Sequence, residues 1–293
     1  MTDNDKSQDS SDPAVDPDTD EDKKLSVTLG QWLTADLTVK KTVTKKGKAF
    51  LRPQLESVCV VSVDYNDNEI SDHCKELYMF LTQHARNRLE LKLGSADGTY
   101  MLGLEKLLMT MTESEECLFI ISSCHGSEEG DIILKVTLHS FTVEKPIWQM
   151  SSKEKYSLAF SHKERGTELF KEGNIEGAFV QYGVAIKYAL CMCESSVCKK
   201  LEKTMIQEHA TLMSICYLNL AACHSKMANY ENVISSCTKA LAVDADNVKG
   251  LYRRAQAYKA IGQIDKARLD LKQALKIEPQ NKAVITLLHN CET

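Results

Sequence analysis

The sequence lacks any apolar run approaching the roughly 18 residues that a membrane-spanning helix requires. It also lacks a secretory or transit peptide, because its first 24 residues are acidic and polar instead of basic or apolar. These two absences predict a protein of the cytoplasm, with the nucleus as a second compartment, and no membrane partner.

Paired cysteine motifs are missing as well. The 11 cysteines are odd in number, scattered, and form no Cys-x-x-Cys pair. Cys191, Cys193 and Cys198 cluster, but they have no fourth ligand at zinc-finger spacing and lie in a stretch with helical patterning. Buried, reduced thiols are the preferred interpretation, with a thiolate metal site as the alternative. We therefore expect no metal and no cofactor.

A basic excess is the third absence. The net charge is −5, and residues 1–24 hold nine acidic residues against three lysines, or −6, so the remaining chain carries about +1. This balance gives no sign of a nucleic-acid partner. The same 24 residues contain almost no large apolar side chains, which predicts a disordered acidic tail. Such a tail is either merely solvated or a segment for phosphorylation or partner docking.

Residues 25–148 carry the patterns of several strands and one helix. Leu89, Leu91 and Leu93 alternate with Glu90 and Lys92, which is the period of a half-buried strand. Further strands are predicted at 58–65, 117–121 and 132–139. Helical spacing relates Leu104, Leu107, Leu108 and Met111 within 100–111. Strands wrapped on one helix predict a compact α+β domain.

From residue 149 onward the chain repeats itself with a period of 34 residues. Residues 214–247 align with 248–281 without a gap, so that Ala221 falls on Ala255, and 159–192 fits the same frame through Gly166. A 34-residue helix–turn–helix unit is the tetratricopeptide signature. Three copies predict an all-α solenoid with a concave groove. An insertion at 193–213 is expected to lengthen the helices on either side of it.

The first helix of each repeat is expected to line the groove, where residues four apart share one side of the helix. Lys163 and Thr167 form such a pair in the first copy, Lys249 and Arg253 form one in the third, and Asn219 has the matching position in the second. A cleft rich in ammonium, guanidinium, amide and hydroxyl donors suits a carboxylate ligand. The alternative is that these are ordinary solvated charges on helix surfaces.

This set of residues resembles the dicarboxylate clamp of tetratricopeptide co-chaperones, which bind the C-terminal Met-Glu-Glu-Val-Asp or Ile-Glu-Glu-Val-Asp peptide of cytosolic heat-shock chaperones. The resemblance implies that Lys163, Asn219 and Lys249 hold the terminal aspartate carboxylates and that Arg253 reaches along the peptide. Thr167 stands where the clamp often has Asn, and several immunophilins also have Thr there. The expected partner is the chaperone of the ninety-kilodalton class, with the seventy-kilodalton class as the alternative.

The preceding domain resembles an FKBP-type prolyl isomerase. The run Trp-Gln-Met-Ser-Ser-Lys-Glu-Lys at 148–155 is similar to the junction between such a domain and its repeats, and 103–117 is similar to the family's helix and following turn. In that family, a Trp floor and walls of Tyr, Phe and Asp enclose a proline. Leu104, Val63 and Leu134 stand at the floor, strand-tyrosine and late-strand phenylalanine positions. No Phe-Asp pair lies near Asp72, and the Tyr-rich loop is reduced to 123–130. The resemblance therefore implies a domain without isomerase activity, because the aromatic contacts to the prolyl ring are lost.

Taken whole, the chain resembles the FK-binding-protein-like subfamily of the tetratricopeptide immunophilins. The implied organisation is an acidic tail at 1–24, a degenerate FKBP-like domain at 25–148 and a tetratricopeptide domain at 149–293. The implied function is a non-enzymatic co-chaperone adaptor, with an unknown client on the FKBP-like domain. The alternatives are an active peptidyl-prolyl cis-trans isomerase and a tetratricopeptide scaffold for an unrelated partner.

Overall fold

A computed structural model describes residues 26–31, 37–47, 50–65, 88–97, 99–123, 132–192 and 203–291. The acidic tail predicted at 1–24 lies outside these residues, as do Asp72 and residues 124–130. Among the described residues, no helix has the length and apolar character needed to cross a membrane.

A six-stranded antiparallel sheet opens the described chain. Its strands lie side by side in the order β1-β2-β5-β6-β3-β4. Their bounds are β1 Ser26–Gln31, β2 Leu37–Lys45, β3 Val58–Tyr65, β4 Leu89–Lys92, β5 Glu116–Ser123 and β6 Ile132–Phe141. Alternation along β4 and β6 turns Leu89, Leu91, Leu134, Val136 and Leu138 inward, as their period of two predicts.

One helix, α1 (Thr99–Leu108), packs on the inner face of this sheet. Leu104, Leu107 and Leu108 are fully buried there together with Phe119 of β5. Met111 is also buried, but the helix ends three residues before it, because the chain turns there to enter β5. The sheet and α1 form the α+β unit expected from the sequence, which we call the sheet domain.

The chain leaves the sheet domain through a 3-10 turn at Ile147–Gln149 and enters a helical array. Helix α2 begins with a capping box, in which the Ser151 hydroxyl accepts from the Glu154 N–H and the Glu154 carboxylate accepts from the Ser151 N–H. The helices of the array are α2 Ser152–Lys171, α3 Ile175–Leu190, α4 Lys203–Lys226, α5 Tyr230–Val243, α6 Val248–Ala260, α7 Ile264–Ile277 and α8 Lys282–His289.

The first six of these helices form three antiparallel pairs, which is the architecture of a tetratricopeptide solenoid. Small residues at the eighth and twentieth positions of each repeat allow the paired helices to approach closely. All of these positions are buried, including the larger Val233: Gly166, Ala178, Ala221, Val233, Ala255 and Ala267. At Gly166 the approach is so close that an added Cβ would lie 2.8 Å from the Tyr182 ring.

The insertion after the first repeat is flanked by two lengthened helices, as expected. Helix α4 begins at Lys203, eleven residues before the second repeat frame. Helix α3 has 16 residues, against 14 in each of the matching helices α5 and α7. The added helix α8 follows the third repeat and packs Val284 against the same core cluster as Leu271 and Ala274.

Candidate functional site

Lys163 and Thr167 lie one turn apart on α2. The Lys163 side chain is 12% exposed, and its ammonium pairs with Glu164 and lies 4.1 Å above the centre of the Phe160 ring. The Thr167 hydroxyl donates to the Lys163 carbonyl at 2.9 Å and accepts from the Tyr182 hydroxyl at 3.3 Å. The only donor of Thr167 is therefore used by the backbone, and of these two residues only Lys163 can offer a charge to a ligand.

Arg253 links the third repeat to the second. Its guanidinium donates to the backbone carbonyl of Leu218 on α4 at 2.9 Å. Leu218 precedes Asn219, which is half-buried on the same helix. The guanidinium has five N–H donors, so this contact orients Arg253 and leaves others for a ligand.

Lys249 begins α6 one turn before Arg253, and its side chain is exposed. The helix start is fixed by Asn247, whose side chain accepts from the Gly250 N–H at 3.0 Å. Gly250 itself is buried, and an added Cβ would lie 3.1 Å from Leu241. The close packing at Gly250 thus anchors the turn that presents Lys249.

Electrostatic effects on buried groups connect three of these residues across the helices. Burial raises the pKa of the Tyr182 hydroxyl, while its hydrogen bond with Thr167 and the charge of Arg253 act to lower it. Burial likewise raises the pKa of the Cys216 thiol to about 12, against the charge of Lys163. Cys216 lies three residues before Asn219 on α4, so Lys163 acts on the helix that carries Asn219. Thr167 and Arg253 both act on Tyr182, and Lys163 and Arg253 both act on residues of α4. Lys249 shares with them only its place on α6, one turn before Arg253.

In the sheet domain, the three positions that the sequence resemblance matches to the pocket aromatics of FKBP isomerases hold core residues. Leu104 and Leu134 are fully buried and Val63 is 6% exposed, and all three belong to one packed cluster. Asp72 and residues 124–130, which bear on the rest of that pocket, lie outside the described residues.

A different cleft, of about 300 Å³, opens where the sheet domain meets the helical array. Its walls include Leu55 and Met109 of the sheet domain, Trp148 of the 3-10 turn, and Lys187 and Tyr188 of α3. The Trp148 side chain is 68% exposed, and Phe50 and Leu51, just before the cleft in sequence, are exposed too. Sequence patterns did not indicate this apolar surface, because its residues lie in irregular segments without a period.

The two domains also share a buried polar network that no sequence pattern indicates. His162 of α2 lies between Glu56, which precedes β3, and Gln181 of α3. Glu56 has a left-handed backbone (φ 73°), which costs a non-glycine residue about 1–2 kcal/mol and is offset by its contacts. The partners are up to 106 residues apart in sequence, so no local pattern relates them.

Across the described residues, no group of three or more His, Cys, Asp or Glu side chains could hold a metal ion. Cys191 is a half-buried free thiol, whereas Cys193 and Cys198 lie outside those residues. Burial raises the pKa of the Cys216, Cys223 and Cys237 thiols to about 12, which makes them unreactive core residues near neutral pH.

Comparisons with known proteins agree with this architecture. The tetratricopeptide repeat model matches residues 248–281, which are the third predicted copy. The human peptidyl-prolyl cis-trans isomerase FKBP4 is 29% identical over 265 residues, covering 86% of this chain and 54% of the relative. The human FK506-binding protein-like is 34% identical over 180 residues, covering 61% of this chain and 46% of the relative. The chain thus spans about half the length of the curated relatives that it matches.

A solved structure shows the same fold. Residues 1–211 of CG17282 match with a TM-score of 0.50 at 20% identity, over 67% of this chain and 93% of that chain. At this identity the likeness concerns the fold alone. Together, the relatives, the repeat match and the two-part architecture identify the chain as an FKBP-like domain followed by tetratricopeptide repeats.

Proposed function

We propose that the chain is a non-enzymatic co-chaperone adaptor whose repeats bind the acidic C-terminus of a cytosolic heat-shock chaperone. The proposed ligand is a free Glu-Glu-Val-Asp terminus, and the proposed clamp consists of Lys163, Thr167, Asn219, Lys249 and Arg253. Two ammonium groups, one guanidinium and one amide would surround the two carboxylates of the terminal aspartate.

The observation that carries this proposal is the orientation of Arg253. Its hydrogen bond to the Leu218 carbonyl joins α6 to α4 beside Asn219, which supports a ligand site shared by the second and third repeats. Lys163 supports it from α2, because its charge acts on Cys216 of α4. In this arrangement Thr167 serves as a packing partner of Tyr182 instead of a donor to the peptide.

The contacts of Lys163 give its binding a specific cost. The ammonium is paired with Glu164, and the Lys163 side chain is only 12% exposed, so a peptide carboxylate must approach beside Glu164 or displace it. An ammonium has three N–H donors, so one can stay with Glu164 while another meets the ligand. Charge-assisted bonds of this kind are worth about 1.5–3 kcal/mol, which offsets the cost.

The ninety-kilodalton chaperone is the proposed partner, with the seventy-kilodalton class as the second candidate, and the proposed compartment is the cytoplasm. An unknown client would bind the FKBP-like domain. The exposed apolar side chain of Trp148 in the interdomain cleft supports client binding there.

Calorimetry with two synthetic peptides tests the clamp. A peptide ending in Glu-Glu-Val-Asp with a free carboxylate should bind at roughly micromolar affinity, equivalent to about 8 kcal/mol. The same peptide with an amidated C-terminus should bind at least about tenfold more weakly, because it lacks one of the charges addressed by the donors. Equal affinities would exclude a carboxylate clamp and favour a scaffold for another partner.

Prolyl isomerase activity is the second candidate function, favoured by the similarity to the human peptidyl-prolyl cis-trans isomerase FKBP4. Against it stand the three core positions, where Leu104, Val63 and Leu134 supply no aromatic surface for a prolyl ring. A refolding reaction limited by proline isomerisation distinguishes the two, since only an isomerase accelerates it.

A further inference from the structure

Both ring nitrogens of His162 face hydrogen-bond acceptors at the domain junction, Gln181 within the repeats and Glu56 on the sheet-domain side. Nδ1 lies 2.7 Å from Oε1 of Gln181, and Nε2 lies 2.9 Å from Oε1 of Glu56. The ring is buried, and it stacks on the Tyr188 ring with 5.8 Å between the ring centres. A neutral imidazole can donate from only one of its nitrogens.

The orientation of the Gln181 amide is fixed by the sheet domain. Its Nε2 donates to the backbone carbonyls of Gly94 and Ala96, each at 3.0 Å. An amide nitrogen with two carbonyl acceptors leaves its oxygen facing His162, and that oxygen can only accept. Nδ1 of His162 must therefore carry a proton.

Glu56, on the other side of the ring, is an ionised carboxylate. Burial would raise its pKa, but hydrogen bonds from His162 and Lys92 outweigh that effect and hold the pKa at about 2. The Lys92 ammonium lies 2.8 Å from Oε2, and the Tyr188 hydroxyl donates to Oε1 at 3.3 Å. With the Lys92 ammonium and the Tyr188 hydroxyl both donating to Glu56, the geometry suits a carboxylate, and a carboxylate opposite Nε2 calls for a second ring proton.

One further titratable group faces this junction, Glu105 of α1. Its buried carboxylate accepts from the Ala96 N–H at 2.7 Å and holds the loop whose carbonyls receive Gln181. Burial raises its pKa to about 7, against hydrogen bonds from the loop amides and the charge of His162. Ionisation of Glu105 strengthens its hold on that loop, so it opposes release of the domains.

We propose that His162 is a proton-dependent contact that fixes the FKBP-like domain to the repeats, closed when the ring is an imidazolium and opened when the ring is neutral. Glu56, Lys92 and the Gly94 and Ala96 carbonyls belong to one domain, whereas His162, Gln181 and Tyr188 belong to the other. When either ring proton is lost, the lone pair of that nitrogen faces an oxygen that can only accept, so the hydrogen bond is replaced by repulsion. The positive charge that attracts the Glu56 carboxylate is lost as well. Docking is favoured by the bound proton, so it weakens as pH rises. This inference is independent of what the clamp binds.

The full chain tests the proposal with two simultaneous readouts. Nitrogen NMR of the imidazole rings reports whether His162 carries one or two protons, and small-angle X-ray scattering reports the separation of the domains. As pH rises, we expect the separation to increase together with the loss of the second ring proton. A His162 ring that is neutral throughout, or domains whose separation does not follow its titration, would overturn the proposal.

Glu56→Gln provides the decisive variant. It keeps the size of the side chain but removes the negative charge that faces the ring, so the domain separation and the loss of the second ring proton should both move to lower pH, and by the same amount. Glu90→Gln is the matched control, because Glu90 is an exposed carboxylate on β4, two residues before Lys92. Unchanged midpoints in Glu56→Gln, with far-UV circular dichroism showing an intact fold, would contradict the proposal.

Gly177→Ala separates the domains without altering any titratable group. An added Cβ at Gly177 would lie 2.4 Å from the Asp97 carbonyl, which accepts from the Asn174 side chain at 2.5 Å. We expect this variant to be open across the whole pH range, with His162 losing its second proton at lower pH than in the native chain. An open variant in which the His162 midpoint is unchanged would show that the ring does not sense docking.

Discussion

The Arg253 guanidinium lies 2.9 Å from the carbonyl oxygen of Leu218, so a side chain of the third repeat is held by the backbone of the second. Lys249, one turn earlier on the same helix, has an exposed side chain. The two cations of α6 thus differ in what they do for the folded protein before any ligand arrives.

This difference predicts separable effects of two substitutions. Lys249→Ala should weaken binding of a free Glu-Glu-Val-Asp peptide by at least about tenfold and leave the melting temperature unchanged. Arg253→Ala should weaken binding similarly and also lower the free energy of unfolding by about 1 kcal/mol, because the Leu218 contact is lost. Calorimetry and thermal unfolding of both variants measure the two effects. A stability loss in Lys249→Ala equal to that in Arg253→Ala would contradict this assignment.

The FKBP-like domain should not accelerate a refolding reaction limited by proline isomerisation. One buried core cluster contains Leu104, Val63 and Leu134. These three positions therefore offer a prolyl ring neither space nor an aromatic surface. The measurement compares refolding rates with and without the protein, and an active FKBP isomerase serves as the positive control. A refolding rate above that of the uncatalysed reaction would show that the domain is a prolyl isomerase.

Two glycines of the first repeat should respond oppositely to alanine. At Gly166, the new Cβ would meet the Tyr182 ring at 2.8 Å, and that ring is 2% exposed and bonded to Thr167. We expect Gly166→Ala to destabilise the fold by about 1–3 kcal/mol.

Gly183, in the middle of α3, is exposed, and an added Cβ would meet nothing within 4 Å. Gly183→Ala should therefore stabilise the protein by about 0.5–1 kcal/mol, because alanine favours the helix. Chemical denaturation of both variants gives the two free energies, and destabilisation by both would point to a general intolerance of α3 and α2 to added volume.

Acid should unfold the protein partly through Glu56. Burial raises the pKa of this carboxyl, but the bonds from His162 and Lys92 outweigh it and lower the value from 4.5 to about 2. A lowered folded-state pKa contributes stability that is complete above pH 4.5 and is lost as pH falls toward 2, by up to about 3 kcal/mol. Denaturation at several pH values should show a steeper acid decline in the native chain than in Glu56→Gln. An equal loss of stability in the native chain and in Glu56→Gln as pH falls would show that folding does not lower the pKa of Glu56.

The elements that could be predicted from the sequence are those whose buried residues recur with a fixed period. The alternation of Leu89 and Leu91 and the 34-residue spacing of Ala221 and Ala255 each place side chains on one face, so strands, helix pairs and core followed from them. Strand β2, with the sequence LTVKKTVTK, mixes Thr, Val and Lys without strict alternation and was not recognised.

The clamp was predictable only in part, for a different reason. Spacing relates Lys163 to Thr167 and Lys249 to Arg253, but it does not say which hydrogen bonds these side chains form. The structure shows that the Thr167 hydroxyl donates to the Lys163 carbonyl of its own helix and that the Arg253 guanidinium donates to the Leu218 carbonyl. Such commitments depend on distances between helices, which a one-dimensional pattern does not contain.

The domain junction has an evolutionary consequence. Gln181 and Asn174 reach the sheet domain through the carbonyl oxygens of Gly94, Ala96 and Asp97, and every amino acid supplies a carbonyl oxygen. Substitutions at Ala96 or Asp97 that preserve the loop's backbone path would leave these bonds intact, so no compensating change at Gln181 or Asn174 would be selected. Paired substitutions among homologues would therefore under-report this part of the contact, and mutational covariation would record the two domains as more independent than they are.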